Sequence, residues 1–163
     1  MGVLTDYFRA PDATTVVRAL ERTEGGSPVL TGFGLDGVQA KRLDPDVVLG
    51  ELVAAVCRVP WSPDLVAEVS VWPATPEPGP DGPASEDDPW ATGPWVTELD
   101  TAVRDALAGV PDADVPAAVA RWVRSEELHG ALAEDMQPLA EELIGLARRA
   151  RAAGERLYCW ICL

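Results

Sequence analysis

Cys159-Trp160-Ile161-Cys162 has the C-x-x-C spacing used for thiol–disulfide exchange or, with two further ligands, for a zinc ion. A redox pair of this kind needs a helix after the first cysteine to lower its thiol pKa. The surrounding run, Leu157 to Leu163, carries no charge and does not alternate, which is how a strand covered on both faces reads. Residues three apart in a strand point to opposite faces, so these two sulfurs cannot share one ion. Cys57 and His129 are the remaining cysteine and histidine that would complete a four-ligand site. The better reading makes the cysteines small core hydrophobes.

Gly32-Phe33-Gly34-Leu35-Asp36-Gly37 matches the dinucleotide fingerprint G-x-G-x-x-G letter by letter. That fingerprint works only where its glycines join a strand to a helix whose N-terminus meets the pyrophosphate. Here Val38 to Leu43 follows, and a helix starts only at Asp44-Pro45, so a glycine-rich turn is expected instead. Glu126-x-x-His129 has the step that puts two metal ligands on one helix face, but a di-iron bundle needs a second such pair. His129 is the sole histidine and reads as a residue near a helix C-terminus. Ser27, Ser62, Ser70, Ser85 and Ser125 sit in no nucleophile elbow. The neighbouring acids Glu141-Glu142 and Asp87-Asp88 read as solvated charge. No catalytic residue, metal ligand or cofactor site is therefore assigned, and the expected cofactor is none.

The elements around these residues can be read in chain order. Val3 to Phe8 is a strand candidate, and Pro11-Asp12 opens a helix through Val16, Val17 and Leu20. Val38 to Leu43 is a second strand. Asp44 as N-cap and Pro45 at the first helical position start a helix that Pro60 stops. Ser62-Pro63-Asp64 begins a short turn, and Glu68 to Trp72 is a third strand. Thr97-Glu98-Leu99-Asp100 resembles a capping box, predicting a helix from Thr97 to Ala108. Asp112 or Asp114 caps another, ending at His129-Gly130. In the last helix Leu139, Leu143, Leu146, Ala150 and Ala153 recur at three- and four-residue steps, and Gly154 takes the left-handed position that ends it. Leu157 to Leu163 then forms the centre of the sheet. Helices gather in the second half, which argues for an α+β fold: one domain over 1–163 with a mixed sheet.

With 163 residues the chain can bury about 70% of its unfolded surface. Twenty-seven acidic against 13 basic residues give a formal charge of −14, which repels phosphate backbones and anionic membranes, so no nucleic-acid partner and no membrane partner is expected. A basic protein would be attracted. Lys41 is the only lysine among the 13 basic residues, the arginine bias of a GC-rich bacterial genome. No apolar run reaches the ~20 residues a membrane span needs. The start of the chain lacks a basic n-region, and three cysteines cannot form a paired framework, so a cytoplasmic location with reduced thiols is expected.

Residues 73–94 stand apart. This stretch holds seven prolines, three glycines and five acids (Glu77, Asp81, Glu86, Asp87, Asp88) with no basic residue. Such composition predicts an unstructured surface loop within the domain. Trp72, Trp90 and Trp95 flank it, and with Asp87 and Asp88 they form the candidate partner-binding set; Trp61 is expected near the same face.

Glu142-Leu143-Ile144, Arg148-Arg149, Gly154 and the closing apolar strand resemble the end of the YfbM-like family, and Met1-Gly2 leading to Tyr7-Phe8 is similar to its start. The helix at Thr97 to Ala108 and the segment Asp112 to Gly130 occupy similar places. The Trp-His pairing of that family's second helix is missing, and the proline loop is extra. The resemblance covers about half the chain and implies a small α+β domain without functional residues to carry over. The expected function is a non-catalytic protein-interaction domain. The alternative is a small-molecule binder or enzyme, with a cleft between helices and sheet that uses Arg148, Arg149 or Arg151.

Overall fold

A computed structural model describes residues 3–29 and 34–163. Five strands form one sheet in the order β2-β1-β5-β4-β3. They are β1 (Leu4–Ala10), β2 (Gly37–Gln39), β3 (Glu68–Trp72), β4 (Trp95–Leu99) and β5 (Arg156–Cys162). The helices are α1 (Ala13–Arg22), α2 (Gly50–Cys57), the single turn α3 (Pro89–Thr92), α4 (Thr101–Ala108), α5 (Val115–Trp122) and α6 (Ala133–Ala153). The α+β class holds, with most helices in the second half and β5 at the middle of the sheet. Every pairing is antiparallel, where a mixed sheet was expected. α1 lies between β1 and β2 in the chain, and α4, α5 and α6 lie between β4 and β5, yet both pairs run antiparallel, so these helices do not act as parallel crossovers.

β5 separates two cores. Leu157 and Cys159 face a large cluster built with α2, α4, α5 and α6; Tyr158 and Trp160 face a smaller one with Phe8, Val16, Leu20 and Val96. Covering on both faces explains why the strand reads as an unbroken apolar run. On the smaller side the Phe8 and Tyr158 rings stack with centroids 5.6 Å apart, and the Trp160 indole N–H donates to the Gly25 carbonyl at 2.9 Å, fixing the end of α1.

Several boundaries move for identifiable reasons. Trp95–Leu99 is a strand paired to both β3 and β5, so Thr97 is no helix cap. The cap of α4 is Asp100, whose carboxylate accepts from the Ala102 N–H at 3.2 Å. The run Trp-Val-Thr has the aromatic and β-branched character that pleated surfaces favour, and it overrides the box-like spacing. Asp44 caps the next element as expected, accepting from the Val47 N–H at 2.7 Å, but Pro45–Leu49 forms a π-helical turn before α2 begins. α5 stops at Trp122, leaving His129 exposed in a run of turns instead of at a helix end. α6 starts six residues earlier than Leu139 and carries Pro138 inside it.

α2 ends at Cys57, ahead of Pro60, because Arg58 adopts the left-handed conformation with φ +57°. That geometry suits glycine better than any residue with a Cβ. Arg58→Gly is expected to raise stability by up to about 1 kcal/mol, read from the midpoint of urea unfolding.

Candidate functional site

The proline-rich stretch folds back at its carboxyl end. Asp88 caps α3 through the Trp90 N–H at 2.9 Å. The Trp90 indole N–H reaches the Thr75 side-chain oxygen at 3.0 Å and its carbonyl at 3.3 Å, closing the loop on itself. The Trp95 indole donates to the Trp90 carbonyl at 3.2 Å. Gly93, at φ +72°, lets the Trp95 ring lie so close that an added Cβ would meet it at 2.8 Å. Trp90, Trp95 and Asp88 are thus brought together. Trp72 is not: it is half-buried against the smaller core. Asp87 stands exposed in solvent. Trp61 packs on α2 instead, its indole donating to the Asp46 carbonyl at 3.3 Å. The tryptophans therefore serve mainly to pin the loop, and its exposed surface is carboxylate. Glu77, Asp81, Glu86 and Asp87 are exposed, and none makes an ion pair among the described residues.

The three arginines of α6 are engaged within the fold. Arg148 donates to Asp112 at 2.7 Å and to the Val110 carbonyl, Arg149 forks onto Asp36 at 2.6 and 2.9 Å, and Arg151 reaches the Ala108 carbonyl at 3.3 Å. Each ties α6 to a neighbouring connection. Asp36 also accepts from Arg9 at 2.7 Å; Arg149, aided by Arg9, holds its carboxyl down to about 2. Asp36 belongs to the glycine-rich run, so that run ends in a structural clamp followed by β2, with no helix for a pyrophosphate to meet. Gly32 and Phe33 lie outside the described residues.

Cys159 is fully buried in the larger core and burial pushes its thiol well up, which keeps it protonated and unreactive. Cys162 packs on the opposite face, so the C-x-x-C sulfurs diverge. Cys57 is exposed at the end of α2.

No family model, curated protein or solved structure matches this chain. The site must be read from its own chemistry.

Two groups escaped the sequence reading. Glu68, on edge strand β3, turns inward and accepts a hydrogen bond from the Thr97 hydroxyl. Burial, together with the hydrogen bond and charge of Asp46 and the charge of Asp44, outweighs Thr97 and pushes its carboxyl up to about 7. A carboxyl titrating there has the pKa of a general acid or base. Its neighbours supply no reactive partner: the Tyr7 hydroxyl is spent on the Leu43 carbonyl at 2.7 Å, and the Cys159 thiol is buried. An inward charge on an edge strand, with a register slip between Ser70 and Trp72, is instead how sheets discourage unwanted strand addition.

The second group surrounds a cavity of about 580 Å³ between the β2–α2 connection and the first half of α6. Lys41 and Arg42 border one side, Glu127, Asp135 and Glu142 the other. The only sequence trace of it is a lone Lys-Arg pair ahead of the Asp44 cap, which spacing rules do not distinguish from a surface turn.

Proposed function

We propose that this protein is a non-catalytic interaction domain whose acidic loop, 73–94, receives a basic protein partner. The observation that carries the reading is the set of four exposed loop carboxylates, Glu77, Asp81, Glu86 and Asp87, left without ion pairs while the loop's base is fastened by Trp90 and Trp95. Five acids outside the loop, Asp36, Glu98, Asp105, Asp112 and Glu155, each meet an arginine. A segment of one charge sign on a fixed base raises the encounter rate with oppositely charged surfaces. No described helix is long and apolar enough to cross a membrane, which fits a partner in water.

Deleting Pro76 to Asp88 tests this directly. Nearly all of that stretch is exposed, so the melting temperature should stay within about 3 °C of wild type. Partners recovered by the immobilised domain from a cell extract should be lost with the deletion and should weaken as salt is raised. Recovery of the same partners by the shortened protein would remove the reading. The YfbM-like resemblance stays a proposal about fold and adds no functional residue.

A further inference from the structure

We propose that the cleft between the β2–α2 connection and α6 binds a short apolar peptide in its zwitterionic form, its carboxylate at Lys41 and Arg42 and its ammonium at Glu127, Asp135 and Glu142. The site is independent of the acidic loop. Its cavity, about 580 Å³, falls within the usual range for small-molecule sites. Ala40, Leu43 and Val48 form a buried apolar floor, and Leu128, Met136 and Leu139 add half-buried walls continuous with the larger core.

Charge complementarity sets the ligand class. The two bases come from the β2–α2 connection, while the acids come from α6 and the turns before it. None of the five makes an ion pair among the described residues, although both signs border one cavity. A ligand with only one charge would leave one set unmatched; an apolar body charged at both ends matches both.

The bases are also held in place at a cost. Lys41 and Arg42 have φ of +22° and +63°, a conformation that residues with a Cβ avoid. The surrounding chain enforces it: the Ala40 N–H donates to the Thr5 carbonyl at 2.8 Å, and the Tyr7 hydroxyl grips the Leu43 carbonyl at 2.7 Å. On the opposite wall α6 carries Pro138, which has no N–H to donate to the helix.

The test uses leucyl-leucine, its N-acetyl form (carboxylate only) and its amide (ammonium only), titrated into the isotopically labelled full chain by NMR. Leucyl-leucine should shift the amides of residues 39–43 and 135–142, and each blocked form should bind at least about tenfold more weakly. Lys41→Glu should weaken leucyl-leucine and the acetyl form but not the amide; Glu142→Lys should do the reverse. Lys41→Gln serves as a milder variant should charge reversal disturb the backbone at that position. Absence of shifts at the cleft at millimolar peptide, equal binding by all three forms, or indifference to the substitutions would each overturn the assignment.

Discussion

Trp122→Ala is expected to lower the unfolding free energy by about 4 kcal/mol, since truncating a buried tryptophan costs 3–5 kcal/mol in transfer and cavity energy. Trp122 is 1% exposed in the larger core, and its indole N–H donates to the Val48 carbonyl at 2.9 Å. The substitution also removes that hydrogen bond. A loss of this size is a large share of the roughly 5–15 kcal/mol available to a domain. Trp122→Phe should recover much of the packing but not the hydrogen bond. Because Val48 is part of the cleft floor, both variants should also weaken peptide binding at Lys41 and Arg42. Guanidinium unfolding checks the first effect; a change below about 2 kcal/mol would mean that the core relaxes around the gap.

Glu68→Gln is the second large effect, and it appears as pH dependence. The Glu68 carboxyl moves from an ordinary 4.5 to about 7 on folding, so the folded protein holds a proton that the unfolded chain releases. Stability from this group is full below about pH 4.5 and is lost as pH rises through 7. Allowing for partial solvent screening, the loss is on the order of 2 kcal/mol between pH 5 and pH 8. The glutamine variant keeps an acceptor for the Thr97 hydroxyl and never ionises. It should match wild type near pH 5, exceed it at pH 8 and flatten the profile between. Parallel profiles for the two proteins would mean that Glu68 ionises as freely folded as unfolded. Asp36 acts with the opposite sign in a lower window, contributing stability above pH 3.8 that is lost as pH falls toward 2.

The parts of this fold legible in the sequence are those where local chemistry has one solution. Asp44 ahead of Pro45, Gly154 after a periodic helix and the uncharged run from Leu157 announce a cap, a stop and a doubly covered strand, and each stands where expected. β4 was hidden because Thr97 and Asp100 carry capping spacing, while the pairing that decides the matter comes from β3 and β5, distant in sequence. The partner-binding set was legible as a composition, while the contacts of its indoles with Thr75, the Trp90 carbonyl and the smaller core were not. Glu68 and the Lys41–Arg42 corner left almost no trace, because an inward carboxylate and a left-handed backbone result from tertiary contacts.

Among the described residues β5 also joins β2-β1 to β4-β3. Its seven residues pair with β1 across almost the whole described chain, as in Asp6 with Trp160. Emerging from the ribosome, the strand pairs β1–β2 and β3–β4 wait for a seam that is translated after both. Closure at such sequence separation is slow, and until residues 156–162 arrive the apolar faces of both ribbons remain open to chaperones or to each other's copies.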